Sequence, residues 1–214
     1  MIQRGTAFIM ERGNPFKWVR FSILTHTLFA IGKILMSILS FSVFLFIHSF
    51  YNVLIVRTKY LVFHTHRDKN QQYSDAEKVY KMIGYSIIII SFIFAFYCMR
   101  LFHPEYNMIA YPKIVGISVL IFTLIELVIS LSGIVSARME QNVLAEALKF
   151  INMTSALVSI HLSQLTLVSF TNADYRVSIH IGITGNIIGL AILGMGLFMI
   201  KRASVMSLNK NRIL

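Results

Sequence analysis

The residue with the most unusual setting in this sequence is Glu126, a carboxylate near the middle of an apolar run. A charge at the centre of a bilayer costs roughly 2.5–3.5 kcal/mol on insertion scales, so such a group normally faces other helices and is protonated or paired. A polar, small-residue face lies at helical spacing from it, formed by Ser118, Thr123, Ser130 and Gly133. We predict that Glu126 either binds a proton or cation inside a bundle or ties helices together by hydrogen bonding.

A second polar pair, His161 and Gln164, lies three residues apart near the centre of another apolar run. A buried histidine beside a buried glutamate would form a proton-coupled pair, which makes His161 the expected neighbour of Glu126. The alternative is that His161 and Gln164 only form hydrogen bonds between helices.

His48 and Asn52 lie one helical turn apart in a third run. Together with Glu126 and His161 they would give nitrogen and oxygen ligands of the kind that divalent transition metals accept. The His-x-x-x-Asp spacing known from metal transporters is absent, however, and we predict neither a metal site nor a cofactor.

Glycines mark one face of the last apolar run, at Gly182, Gly185, Gly189 and Gly196. Small residues at intervals of about four let a second helix approach closely in lipid, so this face is predicted to pack against another helix. A pore-lining or dimer face is the alternative. Asn186 lies on the adjacent face and is expected to need a polar partner.

The amino-acid composition indicates whether the apolar runs are surrounded by water or by lipid. Of the 214 residues, 56% are hydrophobic and 14% are charged, whereas a soluble domain carries about 25% charged residues. The charges also lie mostly between the apolar runs. A chain of this kind is partly dissolved in lipid.

Five runs reach or nearly reach the ~20 residues that a spanning helix needs, and backbone groups in lipid are satisfied only within helices or closed barrels. We therefore predict an all-α integral membrane bundle that forms one domain over residues 1–214. A shorter lead helix over 16–31 precedes the spans, separated from them by Gly32-Lys33, and brings the predicted total to six. The predicted spans are 34–56, 82–100, 114–136, 150–171 and 178–200.

The basic residues predict the orientation of the chain. If the lead helix crosses or returns, sixteen loop and tail cations lie on one side and three on the other; with five crossings alone the division is twelve and seven. Because Lys and Arg concentrate on the cytoplasmic side, the first arrangement is favoured. It places both termini in the cytoplasm, with the C-terminal assignment the better supported, and the bacterial plasma membrane is the expected location.

Several classes of function find little support in the sequence. It contains no phosphate-binding Gly-Lys-Ser/Thr loop, no His-Glu-x-x-His and no Gly-x-Ser-x-Gly motif, so an enzyme is not favoured. The net charge of +11 is placed beside the apolar runs, which suits lipid head groups and predicts no nucleic-acid partner. Cys98 is the single cysteine and is expected to pack as a small apolar residue.

The segments Asn14-Pro15-Phe16-Lys17-Trp18, Gly32-Lys33 and Phe50-Tyr51-Asn52 resemble those of small, uncharacterised polytopic membrane proteins of bacteria. That resemblance implies no activity. From the residues themselves, the leading hypothesis is passage of a small solute or ion through the bundle, in a homo-oligomer or with a membrane partner. A non-catalytic accessory or regulatory membrane protein is the first alternative, and a membrane-embedded enzyme is the second.

Overall fold

The structure is a computed structural model that describes residues 15–40, 43–67, 73–100, 113–138, 142–171 and 179–211. These residues form six helices and, within the described ranges, no strands: α1 (Pro15–Ser40), α2 (Val43–Arg67), α3 (Tyr73–Arg100), α4 (Lys113–Arg138), α5 (Val143–Thr171) and α6 (Ile179–Asn211). The prediction of an all-α bundle of six helices is confirmed.

The boundary predicted at Gly32-Lys33 is wrong. One helix of 26 residues, α1, continues through Lys33 to Ser40, and α2 begins only at Val43. At 1.5 Å per residue α1 is about 39 Å long, so it exceeds the ~30 Å hydrocarbon core that a 16-residue lead helix could not cross. The helix continues because the Lys33 ammonium has a carboxylate partner inside the bundle, as described below.

Five of the six described helices are long and apolar enough to cross a membrane, namely α1, α3, α4, α5 and α6. The helix that falls short in this respect is α2. The first predicted span, 34–56, is divided in the structure between the end of α1 and the first half of α2. The polar residues of α2, including His48, Asn52 and Lys59, lower its mean hydropathy. They are buried against other helices, at 4%, 0% and 1% exposure. The polarity of α2 therefore belongs to the interior of the bundle.

The distribution of side chains is inverted relative to a soluble protein. Large apolar groups such as Phe92, Phe96 and Leu190 are 63–69% exposed, while Lys33 and Glu126 have no exposed surface. Soluble domains very rarely bury lysine and glutamate completely, and extensive exposed apolar surface marks contact with a partner or a membrane. Together with the five spanning helices, this distribution defines an integral membrane protein of the multi-pass helical-bundle class.

Contacts between helices fix their directions. On α1 and α2, Ser22 contacts Lys59 while Lys33 contacts His48, so these helices are antiparallel. The pairs α4/α5, α5/α6 and α3/α6 are antiparallel by the same reasoning, and α3 is parallel to α5. Five residues join α2 to α3, so the C-terminus of α2 and the N-terminus of α3 lie at the same end of the bundle.

One end of the bundle, which we call the Glu146 end, is where α1, α3 and α5 begin. Asn142 caps α5 there, its Oδ1 accepting from the Leu144 N–H at 3.0 Å. Glu146 accepts from the Tyr80 hydroxyl at 3.0 Å and pairs with Arg202 at 2.9 Å, joining α5 to α3 and α6. The opposite end, where α3 finishes, we call the Cys98 end.

Candidate functional site

An ion pair lies at the centre of the bundle. Lys33 Nζ of α1 donates to Glu126 Oε2 of α4 at 2.7 Å, and neither side chain has any exposed surface. Glu126 is near the midpoint of α4, whose outer face carries apolar side chains such as Val128 at 62% exposure. In surroundings of low dielectric constant an ammonium and a carboxylate at this distance attract strongly and neutralise each other.

Two further side chains complete the hydrogen bonds of the carboxylate. Asn52 of α2 bridges the pair: with its amide oriented to satisfy both neighbours, Nδ2 donates to Glu126 Oε1 at 2.7 Å and Oδ1 accepts from Lys33 Nζ at 3.0 Å. The Ser155 hydroxyl of α5 donates to Glu126 Oε1 at 3.4 Å. Four helices therefore meet at one carboxylate, and both of its oxygens are hydrogen-bonded, as burial in hydrocarbon requires.

The histidines of α1 and α2 extend the network on both sides of the ion pair. His48 Nδ1 lies 3.1 Å from Lys33 Nζ, and His26 Nε2 lies 3.8 Å from Glu126 Oε1. His26 Nδ1 is 2.8 Å from the Ser22 carbonyl oxygen. Because a carbonyl only accepts, His26 Nδ1 carries hydrogen and donates, and Nε2 is the nitrogen that presents a lone pair to the cluster when the ring is neutral.

A second lysine is buried beside His26. Lys59 Nζ of α2 donates to the Ser22 hydroxyl at 2.8 Å and lies 3.5 Å from His26 Nε2, with 1% of the residue exposed. We call the residues Ser22, His26, Lys33, His48, Asn52, Lys59, Glu126 and Ser155 the central cluster. It contains two amines and two imidazoles for one carboxylate, so it has more sites that can carry a positive charge than it has negative charges to compensate them.

His161 is not in contact with Glu126. Its Nε2 lies 3.8 Å from Cys98 Sγ on α3, and the Phe94 ring packs edge-on against it with centroids 5.2 Å apart. Its Nδ1 is buried with no hydrogen-bond partner among the described residues. His161 and His48 both line a cavity of about 30 Å³, whose other lining residues are mostly apolar and come from α2, α3 and α5, with Tyr51 and Tyr97 among them.

The other polar residues selected from the sequence lie away from the cluster. Gln164 is on the exposed side of α5. Asn186 is partly buried, and its Nδ2 donates to the Gly182 carbonyl of its own helix at 2.9 Å. Within the described part of the chain, no group of three or more His, Cys, Asp and Glu residues could hold a metal ion.

Three glycines of α6 lie at contacts with α3 or α5. A Cβ on Gly185 would come within 2.8 Å of the His161 ring, and one on Gly196 within 3.0 Å of the Gly84 carbonyl oxygen. Gly189 faces Ala95 at an ordinary van der Waals distance and accepts a hydrogen bond from the Ser91 hydroxyl at 2.7 Å. Gly182 is buried as well.

Sequence reasoning selected Glu126, His48 and Asn52 but missed the remaining five members of the central cluster: Ser22, His26, Lys33, Lys59 and Ser155. A signal was present in Lys33, a cation bordered by apolar runs on both sides, which sequence analysis interpreted as the boundary of a helix. Lys59 was counted as a loop cation. A spanning helix that begins at residue 15 would have placed Lys33 inside the membrane, where it needs a negatively charged partner.

Comparison with known proteins adds no family to this description: no protein-family model matches the chain, and no curated protein matches it significantly.

Proposed function

We propose that this protein passes a small ion or solute through its helical bundle, and that Lys33 and Glu126 form the central site on that route. The observation that carries the proposal is the ion pair itself, fully buried at mid-membrane and surrounded by two histidines and a second lysine. Ionisable residues inside a membrane are costly and mark pathways for ions and protons. Well-packed apolar residues of similar volume would hold the helices together equally well or better.

The test is a flux assay with the full chain reconstituted in liposomes. Gradients of one salt at a time are imposed, and a voltage-sensitive dye together with a pH dye reports which ion moves. Glu126→Gln, which keeps the shape of the side chain but removes its charge, is expected to reduce flux by about tenfold or more, the size of effect seen when a proton-transferring group is lost.

Glu77→Gln is the matched control, because Glu77 lies in the first turns of α3 toward the Glu146 end, away from the central cluster. It is expected to retain wild-type flux. Wild-type protein that is monodisperse and helical but moves none of the ions or small solutes tested would refute the proposal.

A second candidate, a non-catalytic accessory protein, is favoured by one feature of the same site. Glu126 has three hydrogen-bonding partners from three different helices, which is the arrangement expected of a purely structural tie. The double variant Lys33→Met/Glu126→Leu separates these two roles of the ion pair, because it removes both charges together. If the wild type conducts and the folded double variant conducts equally well, the ion pair serves packing; an accessory protein is indicated if the wild type itself moves no ion or solute.

A further inference from the structure

We propose that the species carried is the proton, and that the central cluster is a relay of titratable side chains along the axis of α2. This inference rests on the proposed function, since it names the cargo of the same site. The inference is drawn from how the titratable groups are arranged in space, and not from the pKa of any one of them.

The cluster is a chain in which each group lies beside the next. Lys59 Nζ is 3.5 Å from His26 Nε2, which is 3.8 Å from Glu126 Oε1. The other carboxylate oxygen is 2.7 Å from Lys33 Nζ, which is 3.1 Å from His48 Nδ1. Five titratable groups thus follow one another with no step longer than 3.8 Å.

This chain runs along the axis of α2. Its two ends, Lys59 and His48, are both on α2, and eleven residues of helix separate them by about 16 Å. That distance is about half of the ~30 Å hydrocarbon core. Lys59 lies toward the Glu146 end and His48 toward the Cys98 end, so the relay crosses the middle of the bundle.

The close spacing selects the proton over larger ions. An alkali cation or a halide must pass between side chains, whereas the five titratable groups and Ser155 are packed against one another and are 0–4% exposed. A proton needs only hydrogen bonds to move along. Between His26 and Glu126, which are 3.8 Å apart, Ser155 supplies them: its hydroxyl oxygen is 3.3 Å from His26 Nε2, and it donates to Glu126 Oε1 at 3.4 Å. The excess of amines and imidazoles over carboxylates also supplies unshared lone pairs, which are what a migrating proton requires.

The transfer balances at every step. With Lys59 as the free amine, an entering proton makes it an ammonium, which passes a proton to His26 Nε2. The imidazolium then gives a proton to the Ser155 hydroxyl oxygen as that hydroxyl gives its own proton to Glu126 Oε1. The Lys33 ammonium gives a proton to His48 Nδ1 and takes one back from the Glu126 carboxyl group. Each step breaks one N–H or O–H bond and forms another, so the cluster gains one charge on entry and loses it on exit.

The relay ends at His48. His48 and His161 both line a cavity of about 30 Å³, but its lining is almost entirely apolar, and an apolar cavity of this size stays dry. His161 is therefore not assigned to the relay.

The experiment uses full-length protein in liposomes that contain a pH-sensitive dye, with a potassium diffusion potential to drive proton movement. Wild-type protein is expected to shift the internal pH. His26→Gln and His48→Gln should each slow that shift by about tenfold or more, because glutamine cannot accept and release a proton in the relay. The matched control is His64→Gln, since His64 is an exposed histidine of the same helix as His48.

The variants are first checked for helicity and for elution as a single species in detergent. Proton flux that is lost in both variants and kept in the control supports the relay. Proton flux that survives both substitutions overturns it. Flux of another ion with no change in internal pH overturns the proton as cargo but leaves the proposed function standing, whereas the absence of all flux refutes both.

Discussion

Two interfaces of this bundle hold helices together by opposite means. Where α1, α2 and α4 meet, the contact is polar, with Lys33, Glu126 and Asn52 joined by hydrogen bonds and fully buried. Where α3 and α6 meet, the contact is made by glycine: the Cβ positions of Gly84 and Gly196 would each lie within 3.2 Å of the other's carbonyl oxygen. One interface contains charge, and the other brings two backbones together.

The difference shows what lipid as a solvent demands. Between helices in a bilayer the hydrophobic effect supplies no attraction, so close packing and hydrogen bonds must do so. The glycine interface provides that attraction without any charged group. Apolar packing is therefore sufficient to hold two helices of this bundle together. The charged contact among α1, α2 and α4 is not needed for packing, so it requires a functional explanation.

The largest effect on stability is expected from removing one partner of the ion pair. Glu126→Leu leaves the Lys33 ammonium buried without its carboxylate, which should lower the free energy of unfolding by about 3–5 kcal/mol. Unfolding in mixed detergent, followed by helical circular dichroism, measures this loss.

Removal of both charges should reverse most of the loss. The double variant Lys33→Met/Glu126→Leu leaves no uncompensated charge in that pair and is expected to be as stable as the wild type or more so. A double variant that is as unstable as Glu126→Leu alone would show that the ion pair itself, rather than the unpaired lysine, sets the stability of this interface.

A smaller effect is expected at the glycine interface. Gly196→Ala places a methyl group within 2.7 Å of the Ile88 side chain and 3.0 Å of the Gly84 carbonyl oxygen, so α3 and α6 must separate. We expect a loss of about 1–3 kcal/mol in the same assay. Gly194→Ala is the control on the same helix, because nothing lies within 4 Å of its Cβ position. If the two variants were equally stable, the close approach would contribute nothing.

The smallest effect is expected for Ser91→Ala, which removes the hydrogen bond to the Gly189 carbonyl across α3 and α6. Hydrogen bonds between membrane helices contribute about 0.6 kcal/mol on average, so a loss of this size is expected. Ser86→Ala is the control, since the Ser86 hydroxyl donates to the Met82 carbonyl of its own helix at 3.1 Å. A loss comparable to that of Gly196→Ala would mean that the interface depends on this bond more than on close packing.

Much of the architecture could be predicted from the sequence. Long uncharged runs in a chain with 14% charged residues require helices in lipid, and Glu126 within such a run must face the interior. The pairing could not be predicted, because Lys33 looks like a helix boundary until its partner is known. Glu126 was expected to have His161 as its neighbour; in the structure Glu126 pairs with Lys33, and His161 contacts Cys98.

The orientation of the chain stays a prediction, since the packing of the helices does not show which end of the bundle faces the cytoplasm.

The sequence on its own determined that these helices are surrounded by lipid. Hydropathy is a local property of the chain, and the need to satisfy each backbone group within its own helix is local as well. The tertiary structure alone decided which charges meet. Lys33 and Glu126 are 93 residues apart, and their contact depends on how α1 and α4 cross. No pattern within either helix encodes that crossing. The sequence therefore shows that burying the Lys33 ammonium in the membrane is energetically costly. Only the packed bundle shows that the Glu126 carboxylate compensates this cost.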